Sequence, residues 1–184
     1  MRRPPLKHRP LTGLILAGGR SSRMGHDKAL LSFEGETLLA RAERLLKAVG
    51  AERVVILGRP DHPSGAVDST PFAGPAAAVA DWLQTHPDAG QVVVIPVDMP
   101  GLRAETLTPL IAEGAAVYAG FPLPFTAFAA DKPLGSVVRV RDLLSALQVK
   151  TVPVPPGRAD DFININTPDD LAALAEAGVA QSEE

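Results

Sequence analysis

Leu14-Ile15-Leu16-Ala17-Gly18-Gly19-Arg20-Ser21-Ser22-Arg23-Met24-Gly25-His26-Asp27-Lys28 begins as a short apolar run, breaks at two glycines and then carries three cations within nine positions. A compact run with no polar residue predicts a strand covered on both faces, as in a parallel sheet. The glycine pair stands at that strand's carboxyl end, where open α/β sheets place their ligands. The first strand and its loop therefore predict both a fold class and the edge on which to look for chemistry.

Further along, strands and helical patterns alternate. Glu36 to Val49 reads as a helix with Leu38, Leu39, Ala42, Leu45, Leu46 and Val49 on one face, stopped by Gly50. Val54 to Leu57 is a strand, and residues 59–74, rich in Pro, Gly, Asp and Ser, form a long loop. Pro75 opens a helix to about Thr85, and Val92 to Val97 is the most strand-like run, ending at Asp98-Met99-Pro100. A helix over 104–113 contains Pro109, which should kink or shorten it. Short strands follow near 115–119 and 126–130, then a helix from Leu134 to Leu147 and strands at Lys150–Val154 and Phe162–Asn166. Thr167-Pro168 starts a last helix to about Ala177. The expectation is a single-domain, three-layer α/β/α fold with a mostly parallel, Rossmann-like sheet over 12–178. Residues 1–11 would be a basic tail and 179–184 a second tail.

Composition narrows the function. The 184 residues hold no cysteine, which removes thiolate metal sites and cysteine nucleophiles and makes a reducing cytoplasm the default. Eighteen Lys+Arg against 21 Asp+Glu leave a net charge of −3, and eight aromatics are too few for base-stacking platforms, so no nucleic-acid partner is expected. No apolar run approaches the ~20 residues of a membrane span. The four histidines, His8, His26, His62 and His86, show no ligand spacing and no place in a Ser/His/Asp order.

The loop after the first strand is basic in an acidic chain. Glycines allow backbone N–H groups to turn toward an anion at close range, while Arg20, Arg23 and Lys28 add mobile positive charge. That predicts a phosphate cradle. It is neither a P-loop, since no Gly-Lys-Ser/Thr closes it, nor a dinucleotide fingerprint, since the glycine spacing is wrong. Asp98, at the tip of a buried strand, suits a divalent cation held by carboxylate and phosphate oxygens, or equally an N-cap for the next helix. Asn164 and Asn166, two apart on a predicted strand, would share a face, with Ile163 and Ile165 toward the core. Two such amides can ligate a cation or bind a pterin-like heterocycle; turn chemistry before Thr167-Pro168 is the alternative. Asp68 reads on its own as a turn former with Ser69.

Leu16-Ala17-Gly18-Gly19, Arg23-Met24-Gly25 and Asp27-Lys28, taken in order, closely resemble the signature of the molybdenum cofactor guanylyltransferases, pyrophosphorylases of the nucleotide-diphospho-sugar-transferase-like superfamily. The resemblance continues at Gly74-Pro75, at Pro96-Val97-Asp98-Met99-Pro100 and at Asn164-Ile165-Asn166-Thr167-Pro168-Asp169-Asp170-Leu171, covering residues 12–177. It implies that superfamily's topology and transfer of GMP from GTP to the terminal phosphate of molybdenum-molybdopterin, with release of pyrophosphate. Arg23, Lys28 and Asp98 would be catalytic, and Asp98 would hold Mg²⁺. Leu16, Ala17, Gly18, Gly19, Arg20, Lys28, Asp68, Gly74, Asp98, Asn164 and Asn166 would bind nucleotide or acceptor, the two asparagines on the acceptor and metal side. Molybdoenzyme-maturation proteins would be further partners. The chain departs from the pattern at Ala76-Ala77-Ala78, where the family carries another glycine. That leaves open a cytidylyltransferase acting on the same cofactor. A non-catalytic carrier of nucleotide or cofactor is a second alternative.

Overall fold

A computed structural model describes residues 10–18, 27–66, 74–129, 133–135, 137–167 and 169–174. Seven strands form one sheet in the order β5-β4-β1-β6-β8-β7-β9. In chain order these are β1 (Leu11–Leu16), β4 (Arg53–Leu57), β5 (Gly65–Ala66), β6 (Gln91–Pro96), β7 (Ala116–Tyr118), β8 (Phe125–Phe128) and β9 (Lys150–Val152). The pairings β4–β1, β1–β6, β4–β5 and β7–β9 are parallel, whereas β8 runs antiparallel to both β6 and β7. The sheet is mostly parallel, as expected, with one reversed strand inserted.

Alternation along the strands builds the three layers. On one face Leu11, Ile15, Ile56, Val93 and Ile95 pack with Leu38, Leu39, Ala42 and Leu46 of α1 (Leu38–Ala48) and with Leu107 and Leu110 of α3 (Ala104–Ala112). On the other, Leu14, Leu16, Val55, Leu57, Val92 and Val94 meet Val79, Trp82 and Leu83 of α2 (Pro75–Thr85) and Leu143 and Leu144 of α4 (Val140–Ala146). β1 is buried along its whole length because it has a parallel neighbour on each side and helices above and below. It also starts earlier than its apolar run suggests: Leu11 is already in the strand, and the Pro10 carbonyl accepts from Gln91 N–H at 3.0 Å.

Several elements differ from the sequence expectation. The first helix begins at Leu38, because Glu36 belongs to a hairpin of β2 (Ser32–Phe33) and β3 (Glu36–Thr37). Its two-residue turn, Glu34-Gly35, has φ of +50° and +83°, the left-handed pair that closes tight hairpins. Thr37 is the N-cap, accepting Ala40 N–H at 3.1 Å. The 59–74 loop contains β5, which extends the sheet beyond β4. α3 runs through Pro109 to Ala112; Pro109 and Glu105, one turn before it, are both exposed, so the carbonyl left without a partner faces water. α4 starts at Val140 and not at Leu134: Pro133-Leu134-Gly135 is non-helical, with Gly135 at φ +67°.

The largest correction concerns Phe162–Asn166, which is not a strand. Ala159–Phe162 forms a 3-10 turn, and the chain then passes across the carboxyl end of β6, where Ile165 N–H donates to Asp98 O at 2.8 Å. A segment crossing the sheet cannot alternate against it. Ile165 is fully buried, but Ile163 is 43% exposed alongside the exposed Asn164 and Asn166. A helix follows over 169–174. Among the described residues no helix is long and apolar enough to cross a membrane.

The position of the α1 cap can be tested directly. Thr37→Ala should lower stability by about 1 kcal/mol in urea unfolding while Thr37→Ser stays within a few tenths of wild type. Equal stability of all three proteins would place the helix start elsewhere.

Candidate active site at the carboxyl end of the sheet

Three parallel strands end together. Ala17 N–H donates to Leu57 O and Val97 N–H to Leu16 O, both at 3.1 Å, so the chain leaves β1, β4 and β6 at one level as Gly18, Gly58 and Asp98. The first two make close backbone contact. A Cβ on Gly18 would lie 2.8 Å from the Gly58 Cα, and one on Gly58 would lie 2.3 Å from the Gly18 Cα. Gly58 also sits at φ +82°, which side chains disfavour. Gly18 is exposed and Ala17 half-buried, so the backbone emerges from the sheet at this point. The sequence attributes the glycine at 18 to anion approach; the structure adds a packing requirement.

Asp27 begins the next described stretch. Its carboxylate caps the Lys28–Leu30 3-10 turn, accepting Ala29 N–H at 3.2 Å, and ion-pairs with the Arg59 guanidinium. Arg59 follows Gly58 and also directs its Nε toward Ala17 O at 3.5 Å. The return of the basic loop is thereby tied to the ends of β4 and β1. Arg59 was not among the expected site residues, because only the topology reveals that β4 ends beside β1.

Lys28 opens the turn that Asp27 caps. Its Nζ donates to Asp98 Oδ2 at 3.3 Å and to Asn166 Oδ1 at 3.0 Å. The Lys28 and Asp98 side chains are 20% and 27% exposed, covered enough to strengthen the pairing yet open to a ligand. Asp98 is not a helix cap, since α3 starts six residues later with Arg103 at its N-cap. Its turn is held from beneath: Arg41 of α1 donates Nε to Pro100 O at 2.8 Å, pairs with Glu34 at 2.7 Å, and lies 5.0 Å from the Phe33 ring centroid. The β2–β3 hairpin, missed from sequence, is part of that support.

Asn166 is fixed by the helix start after it. Asp170 accepts Asn166 N–H at 2.8 Å and Thr167 N–H at 2.9 Å, and Thr167 Oγ1 accepts Asp170 N–H at 3.1 Å. The bond from the Asn166 amide, then that from Thr167, holds the Asp170 carboxyl below the ordinary aspartate range. The structure thus joins Lys28, Asp98 and Asn166, with Ala17 and Gly18 just past the end of the adjoining strand β1. Leu16 is buried at the end of β1, Asn164 is exposed on the crossing segment, and Gly74, at φ +96°, is the N-cap of α2. Gly19, Arg20, Arg23, His26 and Asp68 lie outside the described residues.

The rim offers a divalent cation one carboxylate and one side-chain amide oxygen. Asp98 Oδ2 and Asn166 Oδ1 both converge on one cationic group, the Lys28 ammonium. One carboxylate and an amide oxygen suit Mg²⁺, which completes its shell with water and substrate phosphates. Among the described residues no three His, Cys, Asp or Glu side chains cluster as a metal cage. The fit is to a metal that arrives with its phosphates.

The chain is similar to known proteins along most of its length. The family model for the MobA-like NTP transferase domain matches residues 13–154. A molybdenum cofactor guanylyltransferase of Xanthomonas euvesicatoria is 36% identical over 179 residues, covering 90% of this chain and 95% of its own. One from Rhizobium rhizogenes is 31% identical over 194 residues, covering 85% and 87%. Among solved structures, molybdopterin-guanine dinucleotide biosynthesis protein A of Archaeoglobus fulgidus superposes with a TM-score of 0.66 at 23% identity, over 92% of this chain and 99% of that one. The fold is that of the nucleotide-diphospho-sugar transferases.

The Gly18–Gly58 contact carries its own test. Gly58→Ala should cost about 2 kcal/mol or more in urea unfolding, from the strained φ and the backbone clash together. Gly35→Ala, at a similar φ but with open space around it, isolates the strain. Equal losses in the two variants would remove the clash from the account.

Proposed function

Because the chain belongs to the MobA-like NTP transferase family, we propose that it transfers GMP from GTP to the terminal phosphate of molybdenum-molybdopterin. An acceptor phosphate oxygen attacks the α-phosphorus, the bond to the β-phosphate breaks, and pyrophosphate leaves. The observation that carries this reading is the meeting of Lys28, Asp98 and Asn166 beside the end of β1.

The acceptor phosphate is itself the nucleophile, so the protein has to position and neutralise and needs no nucleophilic side chain. Backbone N–H groups at Gly18 and Gly19 would hold the triphosphate, with Arg20, Arg23 and Lys28 spreading positive charge along it. Asp68 and Gly74 would contact the nucleotide, and Asn164 and Asn166 the acceptor side. Asp98, with Asn166 near it, would hold Mg²⁺. When bound, that ion would supply charge neutralisation for the reacting phosphates.

Lys28 has two demands on its charge. Its Nζ is shared by Asp98 and Asn166. Arriving phosphate oxygens compete for the same donors, and the salt bridge keeps the ammonium from swinging into solvent beforehand. The arrangement pre-orders a flexible side chain, which is where much of the cost of using lysine lies. The product would pass to molybdoenzyme-maturation proteins, and a chain without cysteine suits the reducing cytoplasm where that handover would occur.

Incubation with molybdenum-molybdopterin, GTP and Mg²⁺ should yield the guanine dinucleotide cofactor by mass spectrometry, together with pyrophosphate. Lys28→Ala should lose about 10²-fold in turnover with a much smaller change in GTP affinity. Binding of GTP without guanylated product would favour a carrier, and preferential use of CTP a cytidylyltransferase.

A further inference from the structure

Asp161 is a carboxylate that the transfer reaction does not use, and it is only 4% exposed. Burying a carboxylate is costly unless partners compensate. Here Thr106 Oγ1, itself fully buried, donates to Oδ2; Arg103 Nε lies 3.6 Å from Oδ1 and Arg158 Nη1 3.9 Å from Oδ2. Thr106 is gripped on its other side as well, since Tyr118 Oη donates to its carbonyl at 2.7 Å. Arg103, the N-cap of α3, makes no side-chain cap bond, so Asp161 also brings negative charge to the first turn of that helix, where it is favoured.

Asp161 lies in the 3-10 turn that leads into the crossing segment. Next to it, Phe162 stacks on Phe121 with ring centroids 4.2 Å apart and meets Tyr118 edge-on at 5.5 Å. The backbone of the turn rests on Gly101, where a Cβ would come within 3.2 Å of Asp160 O. From this anchor the chain reaches Ile165, whose N–H bonds Asp98 O, and Asn166, whose Oδ1 accepts from Lys28. The anchor at the 159–162 turn and the Ile165 bond to Asp98 O hold this non-sheet segment over the end of β6.

We propose that Asp161 is a positioning residue: by fastening the 159–162 turn to Thr106 of α3 it fixes where Asn164 and Asn166 stand relative to Lys28 and Asp98, and so sets the geometry of the acceptor end of the site. The assignment of that end to the acceptor rests on the transferase reading; the anchoring itself does not.

Two near-isosteric variants test it in the full chain. Asp161→Asn keeps an oxygen acceptor but removes the charge, and Thr106→Val removes the donor from the opposite side. In each, amide hydrogen exchange at Ile165, read by NMR, should quicken about tenfold or more while the amides of β1 and β6 keep their protection. The KM for molybdenum-molybdopterin should rise about fivefold or more, with the Kd for GTP changed less than twofold. A role in stability alone would lower the melting temperature and kcat and leave that KM untouched.

Unchanged Ile165 exchange in either folded variant overturns the proposal, as does faster exchange with an unaltered acceptor KM. If neither variant folds, Asp161 belongs to the stability of the domain and the proposal is likewise overturned. Faster Ile165 exchange in a protein whose wild type makes no guanylated product would sink the transferase reading while leaving the anchoring intact.

Discussion

One ammonium group holds together three parts of the chain that sequence separates widely. Lys28 Nζ bonds Asp98, 70 positions away, and Asn166, 138 positions away. Asp98 closes the central strand β6, Asn166 stands on a segment laid across the sheet, and Lys28 ends the basic loop begun at β1. The shared cation joins a carboxylate and an amide into one charged cluster on the rim, whose cationic and acidic side chains are both partly shielded from water.

The sheet makes such a meeting possible because its central strands are parallel. Parallel neighbours bring their carboxyl ends to one rim, and every connection must cross a face before returning to it. β1 lies between β4 and β6, so Gly18, Gly58 and Asp98 leave the rim side by side. The glycine pair lets the exits of β1 and β4 approach within backbone contact. Arg59 and Asp27 then brace the loop's return, and Arg41 braces the Asp98 turn from below. Side chains braced in this way suit catalysis by positioned charge.

What the sequence made legible follows from how local each signal is. β1, β4 and β6 announce themselves as unbroken apolar runs because both faces are buried, and Pro75 marks the start of α2 through its fixed φ. Lys28, Asp98 and Asn166 could be singled out since each sits in a motif at a strand or helix end. The β2–β3 hairpin escaped notice although Glu34-Gly35 carries the turn, because the helical pattern beginning at Leu38 dominated the reading. Phe162–Asn166 mimics a strand through apolar–polar alternation, yet Ile163 faces solvent; where a segment lies depends on what it crosses. Arg59, Arg41 and Asp161 were illegible for the same reason. Each acts on a partner chosen by the tertiary fold, and single residues give no local trace of such a partner.

The central proposal is spatial: the nucleotide's triphosphate would lie on the rim at Gly18 and Lys28, with the metal at Asp98. A crystal structure of the chain with GTP and Mg²⁺, without acceptor, tests it most directly. The account predicts phosphate oxygens against the Gly18 backbone and Lys28 Nζ, with Mg²⁺ bound by the Asp98 carboxylate. A nucleotide bound elsewhere, with those three residues touching neither phosphate nor metal, would contradict it.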